Sequence, residues 1–144
     1  MKFNPNLTLA WLWILLGFVT GMVLGLFFAR ENWLGGYGSF KRRMYRLAHI
    51  SFFGLGAVNL LFWLTAQHFP LAGSSANFAS GAFMIGAITM PVCCVLTAHF
   101  EKAHLIFAVP VVSLILGGVL TVWLVLANGT PLTLNPQLST FNPL

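Results

Sequence analysis

The chain has 144 residues, of which 58% are hydrophobic and only 6% charged, and it carries a formal net charge of +5. A soluble domain is usually about a quarter charged and buries only about two thirds of its surface at this size, so the composition excludes an ordinary soluble fold and calls for lipid as the solvent. The few basic residues lie beside apolar runs and not along a solvated face, which points to the bilayer and away from nucleic acid as a partner.

Crossing the hydrocarbon core takes about 20 apolar residues at helical rise. Four runs of that length without Asp, Glu, Lys or Arg occur, at 9–29, 47–66, 78–98 and 105–127. A membrane barrel would alternate with period two in segments of about ten residues, and these unbroken runs do not. The predicted fold class is therefore all-α integral membrane: a four-transmembrane-helix antiparallel bundle over 1–127, followed by an extended arm over 128–144.

The first run follows Met1-Lys2-Phe3-Asn4-Pro5, exceeds the length of a signal-peptide core and lacks a small-residue cleavage site, so it is expected to be a retained anchor. It carries Gly17, Gly21 and Gly25, one glycine per four residues, which makes a flat stripe. In lipid, apolar burial does not drive helices together, and such stripes let backbones approach. The stripe is expected to pack inside the bundle, with an intersubunit surface as the alternative.

The first connection, 30–46, combines Trp33, Tyr37, Phe40 and Tyr45 with Lys41, Arg42, Arg43 and Arg46, and Gly35, Gly36 and Gly38 predict a flexible middle. Aromatic rings favour the headgroup layer and clustered cations favour anionic lipid. Lys41, Arg42, Arg43, Arg46, Trp33 and Tyr37 are thus read as an anionic-headgroup anchor.

The second run carries His49 near its start and Asn59 near its middle, and Asn59 is costly in lipid and is expected to bond to another helix. A short uncharged connection follows at 67–77. The third run contains Ala82, Gly86, Met90, Pro91, Cys93 and Cys94 and ends at His99. Adjacent cysteines on a helix point apart, so they are read as packing residues, with copper or zinc binding alongside Met90 as the lesser alternative.

The fourth run starts beside His104 and offers Ser113, Gly117 and Thr121 as a second small-residue stripe. Pro91 and Pro110 each remove a backbone donor and predict kinks, with neighbouring groups bonding the freed carbonyls. The arm, uncharged and holding Pro131, Pro136 and Pro143, is expected to reach across a neighbour. Asn6 and Asn128 open N-x-Thr sequons.

Of seven Lys and Arg residues, six fall in the first and third connections. The positive-inside rule puts those connections in the cytoplasm and both termini outside, and a bacterial inner membrane is the expected location. The only carboxylates are Glu31 and Glu101, neither within a run, whereas pumps place ionisable groups near the midplane. The leading expectation is a non-catalytic subunit of a larger membrane complex, of the energy-converting (respiratory or photosynthetic) kind, without a cofactor. The alternative is a small electron carrier that binds haem b or a quinone through His49 with His99 or His104, Arg42, Arg43 and Arg46 receiving haem propionates.

Overall fold

The computed structural model describes residues 4–69, 71 and 73–128, the side chain of Glu101 excepted. The described elements are helical. They comprise α1 (Pro5–Leu26), α2 (Phe40–His68), α3 (Ser74–His99) and α4 (Ala108–Asn128), with 3-10 turns at Trp33–Gly35 and Glu101–Phe107. Four helices are long and apolar enough to cross a membrane. The arm after Asn128 lies outside the described residues.

The helix ends differ from the hydropathy runs for local reasons. α1 starts at Pro5, a residue suited to the first helical position, and Asn4 caps it by accepting from the Leu7 amide. α2 begins seven residues before its apolar run, because Ser39 accepts from the Arg42 amide and opens the helix ahead of the charges. Lys41, Arg42, Arg43 and Arg46 are consequently the first two turns of α2 and not part of a flexible loop. The preceding residues form an ordered turn: Leu34 has φ 55°, Gly35 87° and Gly36 95°, a stretch of left-handed backbone that the glycines adopt without a Cβ penalty.

Each helix runs antiparallel to the next. The start of α1 meets the far half of α2 through Asn6 and Asn59, while the residue just past its end, Phe28, meets Arg42 at the start of α2. α2 pairs with α3 through Phe62 and Phe83 at one end and Tyr45 and His99 at the other. α3 pairs with α4 through Phe83 and Gly117, and through Cys93 and Ile106.

Extensive interfaces join α1 to α2, α2 to α3 and α3 to α4, with a slender contact between α1 and α3 and no extended interface of α1 with α4 among the described residues. The extensive interfaces therefore join helices that follow one another in the chain. Sequential neighbours fill the small-residue stripes at Gly17, Gly21 and Gly117. A Cβ at Gly17 would lie 2.8 Å from the Phe53 ring, one at Gly21 2.8 Å from His49 Cε1, and one at Gly117 3.0 Å from Phe83. Gly25 meets nothing within 4 Å, and Thr121 turns its hydroxyl back to the Gly117 carbonyl of its own helix. α2 also comes close to the α1 backbone at Gly56, where a Cβ would lie 3.1 Å from the Ala10 carbonyl oxygen.

Polar groups tie the row together. Asn6 of α1 donates to Asn59 Oδ1 of α2 at 2.9 Å and accepts from Ser80 of α3, and Asn59 donates on to the Leu55 carbonyl. Asn6 is only 3% exposed, so this sequon asparagine is a buried link between three helices and not a glycan acceptor. The Asn128 amide caps its own helix by donating to the Leu124 carbonyl.

The two prolines are accommodated differently. Pro91 leaves the Ala87 carbonyl without its helical donor, and the Trp13 indole of α1 supplies one at 3.0 Å. Pro110 does not interrupt a helix, because α4 starts only two residues earlier, at Ala108, and a first-turn residue needs no intrahelical donor. The carbonyl four residues before it, Ile106, accepts from the Cys93 thiol of α3 at 3.6 Å.

Candidate functional site

Arg42 is the most deeply buried cation described, at 2% exposure. It donates to the Phe28 carbonyl at 2.8 Å, where the carbonyl end of the α1 dipole favours positive charge. Its guanidinium sits 4.7 Å from the Tyr37 ring centre and 5.7 Å from those of both Phe28 and Trp33. Arg46 approaches Tyr37 as well, at 5.2 Å, and Arg30 lies over Phe27, whose ring stacks on Trp33. Rings and cations alternate, so the cluster is a rigid corner built by cation–π attraction. Arg42 Nη1 has no hydrogen-bond partner and is covered by those aromatic faces. Arg43 and Lys41 are exposed, and among the group Arg42 is the buried one.

The histidines are not drawn into one cluster. His49 on α2 meets Thr20 on α1, with Nδ1 to Oγ1 at 3.0 Å, and lies edge-on to Phe53. His99 at the end of α3 meets the Tyr45 hydroxyl through Nε2 at 3.0 Å. His104 is exposed in the 3-10 turn before α4 and does not open that helix. No group of three or more His, Cys, Asp or Glu side chains able to hold a metal ion occurs among the described residues. Cys93 and Cys94 are both free and buried, with Cys93 engaged at Ile106.

Two cavities flank the Tyr45–His99 bond. One, of about 670 Å³, lies at the basic end between the turn and α3, and is lined by Gly35, Ser39, Lys41, Thr97 and His99 among others. The second, of about 300 Å³, lies among α1, α2 and α3 and is walled by Val19, Val23, Leu24, Phe52, Pro91 and Val95, with Thr20, Tyr45 and His49 as its polar members.

No protein-family model, curated protein or solved structure matches this chain.

Hydropathy and residue type singled out His49, His99 and the arginines, yet left Thr20, Tyr45 and Phe52 unassigned to any site. Tyr45 and His49 stand four apart on α2 and so share a face, a spacing visible in the sequence. Thr20 adjoins Gly21, and the gap at Gly21 is what admits the His49 ring to α1.

Proposed function

We propose that the chain is a non-catalytic integral membrane subunit that works by packing against other membrane proteins, with its basic end in the cytoplasm and both termini outside. The orientation rests on six of seven Lys and Arg residues lying in the first and third connections. The subunit role rests on the surface between α3 and α4. There a groove of about 440 Å³ is lined by Gly81, Ala82, Ile85, Ser113, Leu116 and Leu120, among others.

Gly81 carries this reading. A glycine inside a helix costs about 0.5–1 kcal/mol against alanine, and a Cβ at Gly81 would meet nothing within 4 Å among the described residues. The cost has no return within the row, whereas a helix of another subunit laid into the groove would use the small residues for close approach.

Native electrophoresis of gently solubilised membranes tests this. The wild type is expected in a discrete assembly larger than the monomer, and Gly81→Trp, which fills the groove without touching an internal contact, is expected to release it with unchanged thermal stability. Co-migration of Gly81→Trp with the assembly, or a wild type that runs as a monomer, overturns the reading.

A further inference from the structure

We propose that the groove over α2, between α1 and α3, holds one anionic phospholipid, with its phosphate at Lys41 and an acyl chain along the wall that leads to Phe52. The inference does not rest on the subunit role, whose groove lies between α3 and α4.

The two cavities beside the Tyr45–His99 bond share their walls. On α2, Lys41, Tyr45, Ala48 and Phe52 recur at spacings of three and four and so stand on one face, and on α3 Pro91, Val95 and His99 do the same. The basic-end members, Lys41 and His99, line the outer cavity, and the others line the inner chamber. The bond from Tyr45 to His99 lies where the two meet. Lys41 and Phe52 are about 16 Å apart along α2 at helical rise, and half a bilayer with its headgroups is about 20–22 Å thick. The shared face therefore accompanies a headgroup and the upper part of one chain within a single leaflet.

Polarity changes along that face as an anionic amphiphile requires. The outer cavity has the Lys41 ammonium in its wall and no carboxylate among its described lining residues. Lys41 stands in the first turn of α2, where the helix dipole also favours an anion. Thr97, in the same wall, is only 4% exposed, and its hydroxyl has no hydrogen-bond partner among the described residues. The inner chamber presents an almost wholly apolar surface, because Thr20 and His49 bond to each other and Tyr45 bonds to His99. A hydrocarbon chain needs nothing more from it. The chamber is open at the side, since its wall residues Val19, Val23 and Val95 are 46%, 43% and 38% exposed, and what surrounds a membrane-spanning helix at such residues is lipid. One turn of a partner's helix, about 10 Å across and 5.4 Å long, takes up about 400 Å³. That exceeds the chamber's volume of about 300 Å³, which an acyl chain is slender enough to enter.

The test uses the full chain, stripped of lipid in mild detergent and titrated with dioleoylphosphatidylglycerol, dioleoylphosphatidylcholine or glycerol phosphate, with native mass spectrometry counting the adducts. One phosphatidylglycerol per chain is expected, held about fivefold more tightly than phosphatidylcholine, the ratio that one cation near a membrane surface contributes. Lys41→Gln is expected to remove that preference while a lipid still binds. Arg43→Gln, the same change of charge at an exposed residue outside both cavities, is expected to keep it. Val23→Trp, which fills the chamber from its open side, is expected to weaken both lipids by about tenfold or more. Equal affinity of the wild type for the two lipids, or glycerol phosphate bound as tightly as phosphatidylglycerol, overturns the inference. So does a preference lost as fully in Arg43→Gln as in Lys41→Gln, or an undiminished affinity in Val23→Trp. The wild-type comparison decides the matter even if a variant fails to fold.

Discussion

The bond between Trp13 and the Ala87 carbonyl can be isolated by a double-mutant cycle, because its partner is orphaned by an identifiable residue. Trp13→Phe removes the indole donor while retaining a ring near Phe52, which Trp13 meets edge-on at 5.8 Å. Interhelical hydrogen bonds in membranes average about 0.6 kcal/mol and reach about 1.7. This bond should fall in the upper part of that range, about 1 kcal/mol, since without it the carbonyl freed by Pro91 has no helical donor either. The loss of ring volume adds an amount that is the same in any background. Pro91→Ala restores the backbone N–H that bonds Ala87, so the carbonyl no longer depends on Trp13. Trp13→Phe should then cost about 0.5–1 kcal/mol less in the Pro91→Ala background than in the wild type. The four proteins are unfolded in mixed micelles by increasing sodium dodecyl sulfate, with helical circular dichroism as the signal. A coupling within about 0.3 kcal/mol of zero, inside the usual error of additivity, would refute the claim that the indole replaces the missing donor.

The glycines divide into two classes by the same measurement. Gly17→Ala and Gly21→Ala push a Cβ to 2.8 Å from the Phe53 and His49 rings and should each lose about 1–3 kcal/mol, whereas Gly25→Ala, with open space, should be neutral or gain up to about 1 kcal/mol from helix propensity. Equal effects at all three positions would show that the stripe does not pack as described. Arg42→Gln should lower stability by about 1.5–3 kcal/mol through the lost charge-assisted bond to Phe28 and the lost ring contacts, while the exposed Arg43→Gln should stay within about 0.5; a thermal unfolding comparison in mild detergent decides it. Asn59→Leu should cost about 1 kcal/mol, because it leaves Asn6 with only Ser80, and adding Asn6→Leu should cost less than the sum of the single changes.

What the sequence made legible follows from which physics is local. Four helices could be read from uninterrupted apolar runs, since a span must satisfy its backbone within itself and needs a fixed length. The helix starts could not be read from hydropathy: charge ends an apolar run but not a helix, and it was Ser39 that marked the start of α2. Asn59 was recognisable as a residue needing a partner, yet its partner, Asn6, looked like a surface sequon, because burial depends on the neighbouring helices and not on the tripeptide. The charge pattern places His49, His99 and His104 at one end of their helices. Depth left their azimuth undetermined, and the rings turned instead to Thr20 and Tyr45 on other helices. Gly56, where a Cβ would crowd the α1 backbone, lies outside any repeating stripe and offers no pattern.

The distribution of polar bonds also ranks the interfaces. In lipid, every helix face has an equally apolar alternative, so register is specified chiefly by hydrogen bonds and by shape. α1 is joined to its neighbours through Asn6, Trp13 and Thr20, and Arg42 fastens the end of the turn that follows it. Any slide of α1 along α2 by one turn, about 5.4 Å, would break all of these at once. Between α3 and α4 the contacts include glycine–side-chain fits at Gly86 with Leu114 and Gly117 with Phe83, together with the Cys93 thiol at Ile106, a weak donor. Apolar fits of that kind can be replaced by another helix with similar side chains, whereas the α1 bonds need particular partners at particular heights. The first three helices therefore form the specified unit, and they are the ones that enclose the His49 cavity. α4 is the helix that could exchange contacts most cheaply, which agrees with the unfilled groove lying along its edge and not beside α1.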